Sequence, residues 1–205
     1  RIRIVPDAVD LDEIAAAKPD RLGVAPEEPV VLCVAAFSAE KDHATLLEAW
    51  AEVESRAPGA NLHLAGSGER EAELRGFAET RGLKRVRFLG WREDIAALIA
   101  GADLVALSSR SEGLGSSLCQ AQAAGRAVVA TRAGGIPEAV EDGITGLLSP
   151  PGDARALADN LLALIADRQR REKLGEAGRA RALSRFAPQI VARAHEALYE
   201  SLLSA

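Results

Sequence analysis

Short apolar runs alternating with segments of helical period limit this 205-residue chain to very few architectures. The runs lie at 30–37, 61–65, 85–89, 103–107 and 127–130, each bounded by turn residues and short enough to be a fully buried strand. Helical patterns at 43–56, 69–81, 92–101 and 116–124 separate them. In the first of these, Leu46, Leu47, Trp50 and Val53 recur at i, i+1, i+4 and i+7, one face of a helix. Strands joined through single helices imply right-handed crossovers and a parallel sheet. A further strand-like segment at 146–149 precedes Pro150-Pro151-Gly152, and helical patterns at 154–167, 168–186 and 188–203 complete the chain. Residues 1–10 read as a strand and turn. The expected fold is α/β, a Rossmann-like doubly wound parallel sheet with C-terminal helices. Residues 1–186 form this one domain and 187–205 a C-terminal helix. Ligands of such sheets sit beyond the carboxyl ends of the strands, where strand order reverses, so the loops that follow the strands are the ones to inspect.

Composition narrows the function classes. Hydrophobic residues make up 48% of the chain and charged residues 27%, ordinary for a globular domain. Aromatics are scarce at 3%, so the core must be built from Ala, Leu, Val and Ile. A net charge of −5 argues against nucleic acid as a main partner. No apolar run approaches the ~20 residues that span a bilayer. No secretory leader is evident, and a start on Arg1 rather than Met suggests part of a longer chain. Cys33 and Cys119 fall in apolar patterns and read as two buried thiols in a reducing cytosol. No His, Cys or acidic cluster has metal-ligand spacing, and no nucleophile elbow is present. His43, at a helix start near Lys41, reads as a surface or capping residue with a phosphate contact as the alternative, His63 as structural and His195 as exposed.

The most informative stretch is Ser108-Ser109-Arg110-Ser111-Glu112-Gly113-Leu114-Gly115-Ser116-Ser117-Leu118-Cys119-Gln120, which follows a strand and opens a helix. Gly113 and Gly115 allow a sharp turn and close approach of a ligand. Ser116 or Ser117 is suited to cap the helix. The free amides at such a terminus, with the positive end of the dipole, suit a diphosphate without any metal. A glycine-rich turn capped by serine is the plainer alternative.

This Glu-Gly-x-Gly loop, its Ala-rich helix, Gly125 and Val128-Val129-Ala130 together resemble the signature of family 4 (group 1) retaining glycosyltransferases. That family has the two-domain GT-B fold, and the resemblance assigns this chain to the donor-binding half. Gly134–Glu138 and Asp142–Leu148 resemble its Gly-Gly-Ile-Pro-Glu and Asp-Gly-x-Thr-Gly-Leu-Leu segments, and Ile4–Asp10 its opening Val-Pro-Asn-Gly-Val-Asp. The family's loop carries a Glu, seven residues and a second Glu. The first, near the donor sugar, is Glu112. The second, which accepts the ribose hydroxyls, falls on Gln120, which has one carbonyl acceptor and no charge. That change is expected to cost about 1 kcal/mol.

The segment Ala35-Ala36-Phe37-Ser38-Ala39-Glu40-Lys41 matches a Gly-Arg-Leu…Lys pattern whose Arg and Lys clamp the diphosphate. Lys41 keeps the Lys; Ala36 replaces the Arg. Lys41 is either this phosphate ligand or a solvated surface lysine, and Arg110 and Arg132 lie in loops on the same edge. Gly90-Trp91-Arg92 matches the loop that holds the nucleobase, where Trp91 either walls the base pocket or packs the loop against a helix.

The resemblance therefore implies glycosyl transfer from a nucleoside-diphosphate sugar, uridine being favoured over guanosine by family frequency, with no cofactor. Lys41 and Glu112 would serve catalysis, and Gly113, Leu114, Gly115, Ser116, Ser117, Gln120, Gly90 and Trp91 would bind the donor. It also implies an N-terminal acceptor domain as partner and a cytoplasmic location. A peripheral membrane or lipid-linked acceptor is left open, since the basic run 168–185 reads first as a solvated helix face. The alternatives are a non-catalytic nucleotide-sugar-binding or scaffold domain, suggested by Ala36 and Gln120, and a sugar-nucleotide epimerase of the same architecture.

Overall fold

The computed structural model describes residues 5–203. Six parallel strands run β1 (Val30–Val34), β2 (Asn61–Ala65), β3 (Val86–Gly90), β4 (Leu104–Leu107), β5 (Ala127–Thr131) and β6 (Gly146–Ser149) in chain order. In space they are ordered β3-β2-β1-β4-β5-β6, the doubly wound arrangement expected from the alternation. The order reverses between β1 and β4, where Val31 pairs with Leu104 and Leu32 with Val105.

The helices are α1 (Leu11–Ala16), α2 (His43–Arg56), α3 (Glu71–Thr80), α4 (Ile95–Gly101), α5 (Ser116–Ala123), α6 (Ile136–Ala139), α7 (Ala154–Ala166), α8 (Arg168–Arg185) and α9 (Pro188–Leu203). Helices α2, α3 and α7 pack together as one layer, and α1, α4, α5 and α8 as the other. Right-handed crossovers require this division, because strand order runs one way after β1 and the other way after β4. Strands β1, β2, β4 and β5 are buried along almost their whole length; β1, β4 and most of β5 are continuous apolar runs, whereas β2 alternates and buries Asn61 and His63 as well. Trp50, Phe37 and Phe186 are the largest fully buried side chains among Leu, Val and Ala.

Several boundaries differ from the sequence expectation. Strand β1 ends at Val34, not at 37: Ala35 and Phe37 still donate to Ala65 O and Ser67 O (3.1 and 3.0 Å), but as a loop laid along the loop after β2. Residues 1–4 lie outside the described residues. Residues 5–10 form no strand; Asp10 instead caps α1, its Oδ1 accepting Asp12 N and Glu13 N at 3.1 and 2.9 Å. Helix α1 was not expected, although an N-cap Asp followed three residues later by Glu is a helix-start signal.

Helix α9 is attached differently from the rest. Val191 is its one buried residue, while Ile190, Tyr199, Leu202 and Leu203 are exposed. No helix among the described residues is long and apolar enough to cross a membrane.

Candidate functional site

The loops that follow β1 and β4 flank the point where strand order reverses. Gly115 is the N-cap of α5, in the left-handed region at φ 81°. The expected serine cap is therefore not formed. Ser116 and Ser117 are the first two helical residues, and neither side chain bonds the helix start. Leu118 N and Cys119 N turn back to Gly115 O at 2.9 and 3.2 Å. The amides of Ser116 and Ser117 have no acceptor among the described residues. A left-handed glycine without a capping side chain leaves the positive end of the helix open toward the crevice. A serine cap would have filled that place with its own hydroxyl.

Close backbone contacts hold the loop. A Cβ on Gly134 would lie 2.0 Å from Glu112 O, and one on Gly135 1.8 Å from Gly113 O. These two glycines let the turn after β5 press against residues 112–113, and Gly135 N donates to Glu112 O at 3.0 Å. Gly113 does not take a left-handed conformation. It is exposed, its N donates to Glu112 Oε1 at 3.1 Å, and with Leu114 it lines a cavity of about 350 Å³ that also contacts Pro6, Asp7 and Glu138.

Lys41 Nζ forms an ion pair with Glu112 Oε2 across the crevice. The two residues assigned to catalysis thus meet although they are 71 positions apart in sequence. Ser109 Oγ donates to the same Glu112 oxygen at 3.3 Å. Gln120, one turn into α5, is half-buried, and its side chain makes no hydrogen bond among the described residues.

A second, apolar cavity of about 180 Å³ opens beside the first three strand ends, lined by Val34, Ala35, Ala36, Ala65, Gly66, Ser67, Trp91, Arg92 and Ile95. Trp91 is 76% exposed and forms a wall of this cavity instead of packing into the core. Gly90, at φ 68°, ends β3 and accepts Gly66 N at 2.8 Å. Gly66 and Gly68 seat the β2 loop on the β1 loop, since a Cβ there would come within 2.0 Å of Ala35 O and 2.5 Å of Phe37 O. Arg92 is held by Asp94 in a two-pronged pair at 2.8 and 2.6 Å.

The remaining residues singled out from sequence sort themselves clearly. Arg110 and Arg132 are both exposed and ion-paired, to Asp42 and Asp142 at 2.6 Å each. His43 is not at the surface. It is buried against the edge of the Phe37 ring, 3.7 Å from Cys33 Sγ, because it faces inward on the first turn of α2. Burial, partly offset by Asp42, lowers its pKa to about 4. His63, within β2, is lowered to about 4 by the same cause. His195 is half-buried on α9, its Nδ1 3.0 Å from Val191 O. Both cysteines are free and buried, and burial raises each thiol to about 12. They are packing residues, not nucleophiles. Sequence reasoning missed Asp42 and Ser108, which brace the Lys41 loop; the only signal was the Asp-His pair at a helix start.

The sequence matches the family "Glycosyl transferases group 1" over residues 16–181. It is 32% identical over 201 residues to the lipopolysaccharide core biosynthesis glycosyltransferase LpsE of Rhizobium meliloti, a match covering 98% of this chain and 58% of that protein. It is 38% identical over 190 residues to D-inositol 3-phosphate glycosyltransferase of Nocardia farcinica, covering 85% and 42%. The structure of Anabaena Alr3699/HepE in complex with UDP-glucose superposes with a TM-score of 0.86 at 31% identity, covering 99% of this chain and 57% of that one. The chain thus spans about half the length of the relatives it matches. Fold, loop chemistry and sequence agree: this chain belongs to the group 1 glycosyl transferases and has the Rossmann-like half of their GT-B architecture.

Proposed function

We propose that this chain is the donor-binding half of a retaining glycosyl transferase that uses a nucleoside-diphosphate sugar. One observation carries the reading: the open start of α5, with the unbonded amides of Ser116 and Ser117, lies at the strand-order reversal beside the Lys41–Glu112 pair. A diphosphate there accepts hydrogen bonds from these amides and draws Lys41 from Glu112. As the bond from sugar to phosphate breaks, negative charge grows on the leaving diphosphate, and amides already oriented toward it need no reorganisation. Glu112, released from Lys41, is left facing the sugar, and Gln120 faces the ribose.

The nucleobase occupies the apolar cavity with Trp91 as one wall. Uridine is favoured over guanosine, since the similar Anabaena Alr3699/HepE is in complex with UDP-glucose, although a Corynebacterium glutamicum relative is GDP-mannose-dependent. Helix α9, with its exposed Ile190, Tyr199 and Leu202, packs against an acceptor-binding domain in a longer protein. Two free buried thiols suit a reducing, cytoplasmic setting.

Calorimetric titration with UDP, GDP, UMP and uridine tests the proposal. A nucleoside diphosphate should bind at least tenfold more tightly than its nucleoside, the contribution of about one charge-assisted contact. Equal affinity for UDP and uridine contradicts the diphosphate site. The anomeric configuration of product made by the longer protein tests retention.

A further inference from the structure

The loop that carries Lys41 is gripped along three successive carbonyls by the loop after β4, which carries Glu112. Arg110 N donates to Glu40 O at 2.7 Å. The Ser108 hydroxyl lies 2.9 Å from both Lys41 O and Asp42 O and shares its hydrogen between them. Ser108 is fully buried, so no solvent water competes for these bonds.

Asp42 completes the clasp. It is one of two non-glycine residues with positive φ among the described residues, at φ 44°, ψ 49°. Asp tolerates this conformation better than most residues because its short side chain bonds locally. Here the carboxylate caps α2, accepting Thr45 N at 3.4 Å and Thr45 Oγ1 at 2.7 Å, and also accepts Arg110 Nε at 2.6 Å. Asp42 is only 4% exposed, whereas Arg110 is 61% exposed on its outer side. From the β5 side, Thr131 Oγ1 donates to Ser109 O at 2.5 Å, fixing the same loop.

We propose that Asp42 and Ser108, with Arg110 as brace, are positioning residues that fix where the Lys41 side chain leaves the backbone. This rests on the reading of Lys41 as a diphosphate ligand. A lysine is a point charge on a flexible stem, and with Ala36 in place of a second cation the contact depends on this one origin. An error of about 1 Å in such an origin is enough to cost a large part of a contact's contribution. The left-handed turn at Asp42 sets the direction, and the Ser108 and Arg110 bonds hold residues 40–42 to the anion-binding loop so that the two move as one unit.

The test is affinity for UDP and for uridine in Lys41→Ala, Asp42→Ala, Asp42→Asn and Ser108→Ala, with the melting temperature of each. Asp42→Ala makes the left-handed turn unfavourable and removes both cap and brace. It should weaken UDP about tenfold and leave uridine within about twofold. Asp42→Asn tolerates the turn and still accepts from Thr45 and Arg110, so it should stay within about threefold of the parent for UDP. Ser108→Ala should fall between them. If Lys41→Ala leaves the UDP-to-uridine ratio unchanged, the diphosphate reading fails and this inference with it. If Lys41→Ala lowers the ratio but Asp42→Ala does not, only the positioning role is overturned. Loss of UDP and uridine affinity in equal measure, in step with a lower melting temperature, also overturns it, because that is the mark of general destabilisation.

Discussion

The two sides of the crevice are made of different materials. Beyond β1, β2 and β3 lies an apolar cavity whose walls are Ala35, Ala36, Ile95 and the exposed Trp91, with loops pressed together at Gly66 and Gly68. Beyond β4 and β5 lie the open amides of α5, Glu112 with Lys41 reaching over to it from the loop after β1, and a turn pressed down by Gly134 and Gly135. Both sides use glycine in the same way, to let backbones touch. What they offer a ligand differs: apolar area and a ring face on one, oriented donors and a cation on the other. A nucleoside diphosphate has these same two ends. Changes on the first side should therefore act on every nucleoside derivative alike, and changes on the second should act in proportion to phosphate content.

The largest expected effect separates the halves by acid. His43 and His63 are both buried in the β1–β3 half, and both are held near pKa 4 by burial. An unfolded histidine titrates near 6.5, so between about pH 6.5 and 4 the unfolded chain binds more protons than the folded one. Stability from keeping these rings neutral is complete above about pH 6.5 and is lost as pH falls toward 4, on the order of 3 kcal/mol for each ring. Hydrogen exchange followed from pH 7 to 4.5 should show protection lost first in β1, β2 and α2. Earlier loss in β5 and β6 breaks the contrast.

Next in size is Lys41→Ala, which removes a charge-assisted contact of roughly 1.5–3 kcal/mol. Affinity for UDP should fall more than tenfold while that for uridine barely moves. Trp91→Ala should do the opposite in pattern, weakening UDP, UMP and uridine by a similar factor of about five to tenfold, as loss of one aromatic wall for a base predicts. A loss confined to UDP at Trp91, or a loss shared equally by uridine at Lys41, would merge the two sides into one. The smallest effect is a gain. Gln120→Glu adds a charged acceptor in α5 and should tighten UDP by about fivefold, near 1 kcal/mol, with calorimetry as the check. No gain would count against contact between Gln120 and the ribose.

Much of this was legible in the sequence, and the physical reason is visible element by element. Strands β2 and β6 and helices α2 and α9 fall where their apolar period and flanking turns put them, because short apolar-bearing segments bounded by turns mark buried strands and a 3.6-residue apolar period marks a helix face. That Lys41 and Glu112 belong to one site was legible only through the family pattern, since no local period joins positions so far apart, and their direct ion pair was not expected. Two things escaped. The helix cap at α5 is Gly115 and not a serine: side-chain type identifies who is able to cap, but backbone φ decides who does. His43 read as a surface residue because its neighbours are charged, yet the first turn of α2 faces the sheet, and the ring fills space beside Phe37. Asp42 was passed over for a related reason. Its left-handed conformation is a property of the fold around it, and nothing in the string Lys-Asp-His declares it.

The central claim concerns the amides of Ser116 and Ser117, and nuclear magnetic resonance reports on them directly. In a titration with UDP their amide resonances should move downfield and saturate together, and uridine should leave them in place while shifting Gly90 and the Trp91 indole. If UDP binds while the Ser116 and Ser117 amides stay where they are, the diphosphate is not held at the start of α5 and the account is wrong.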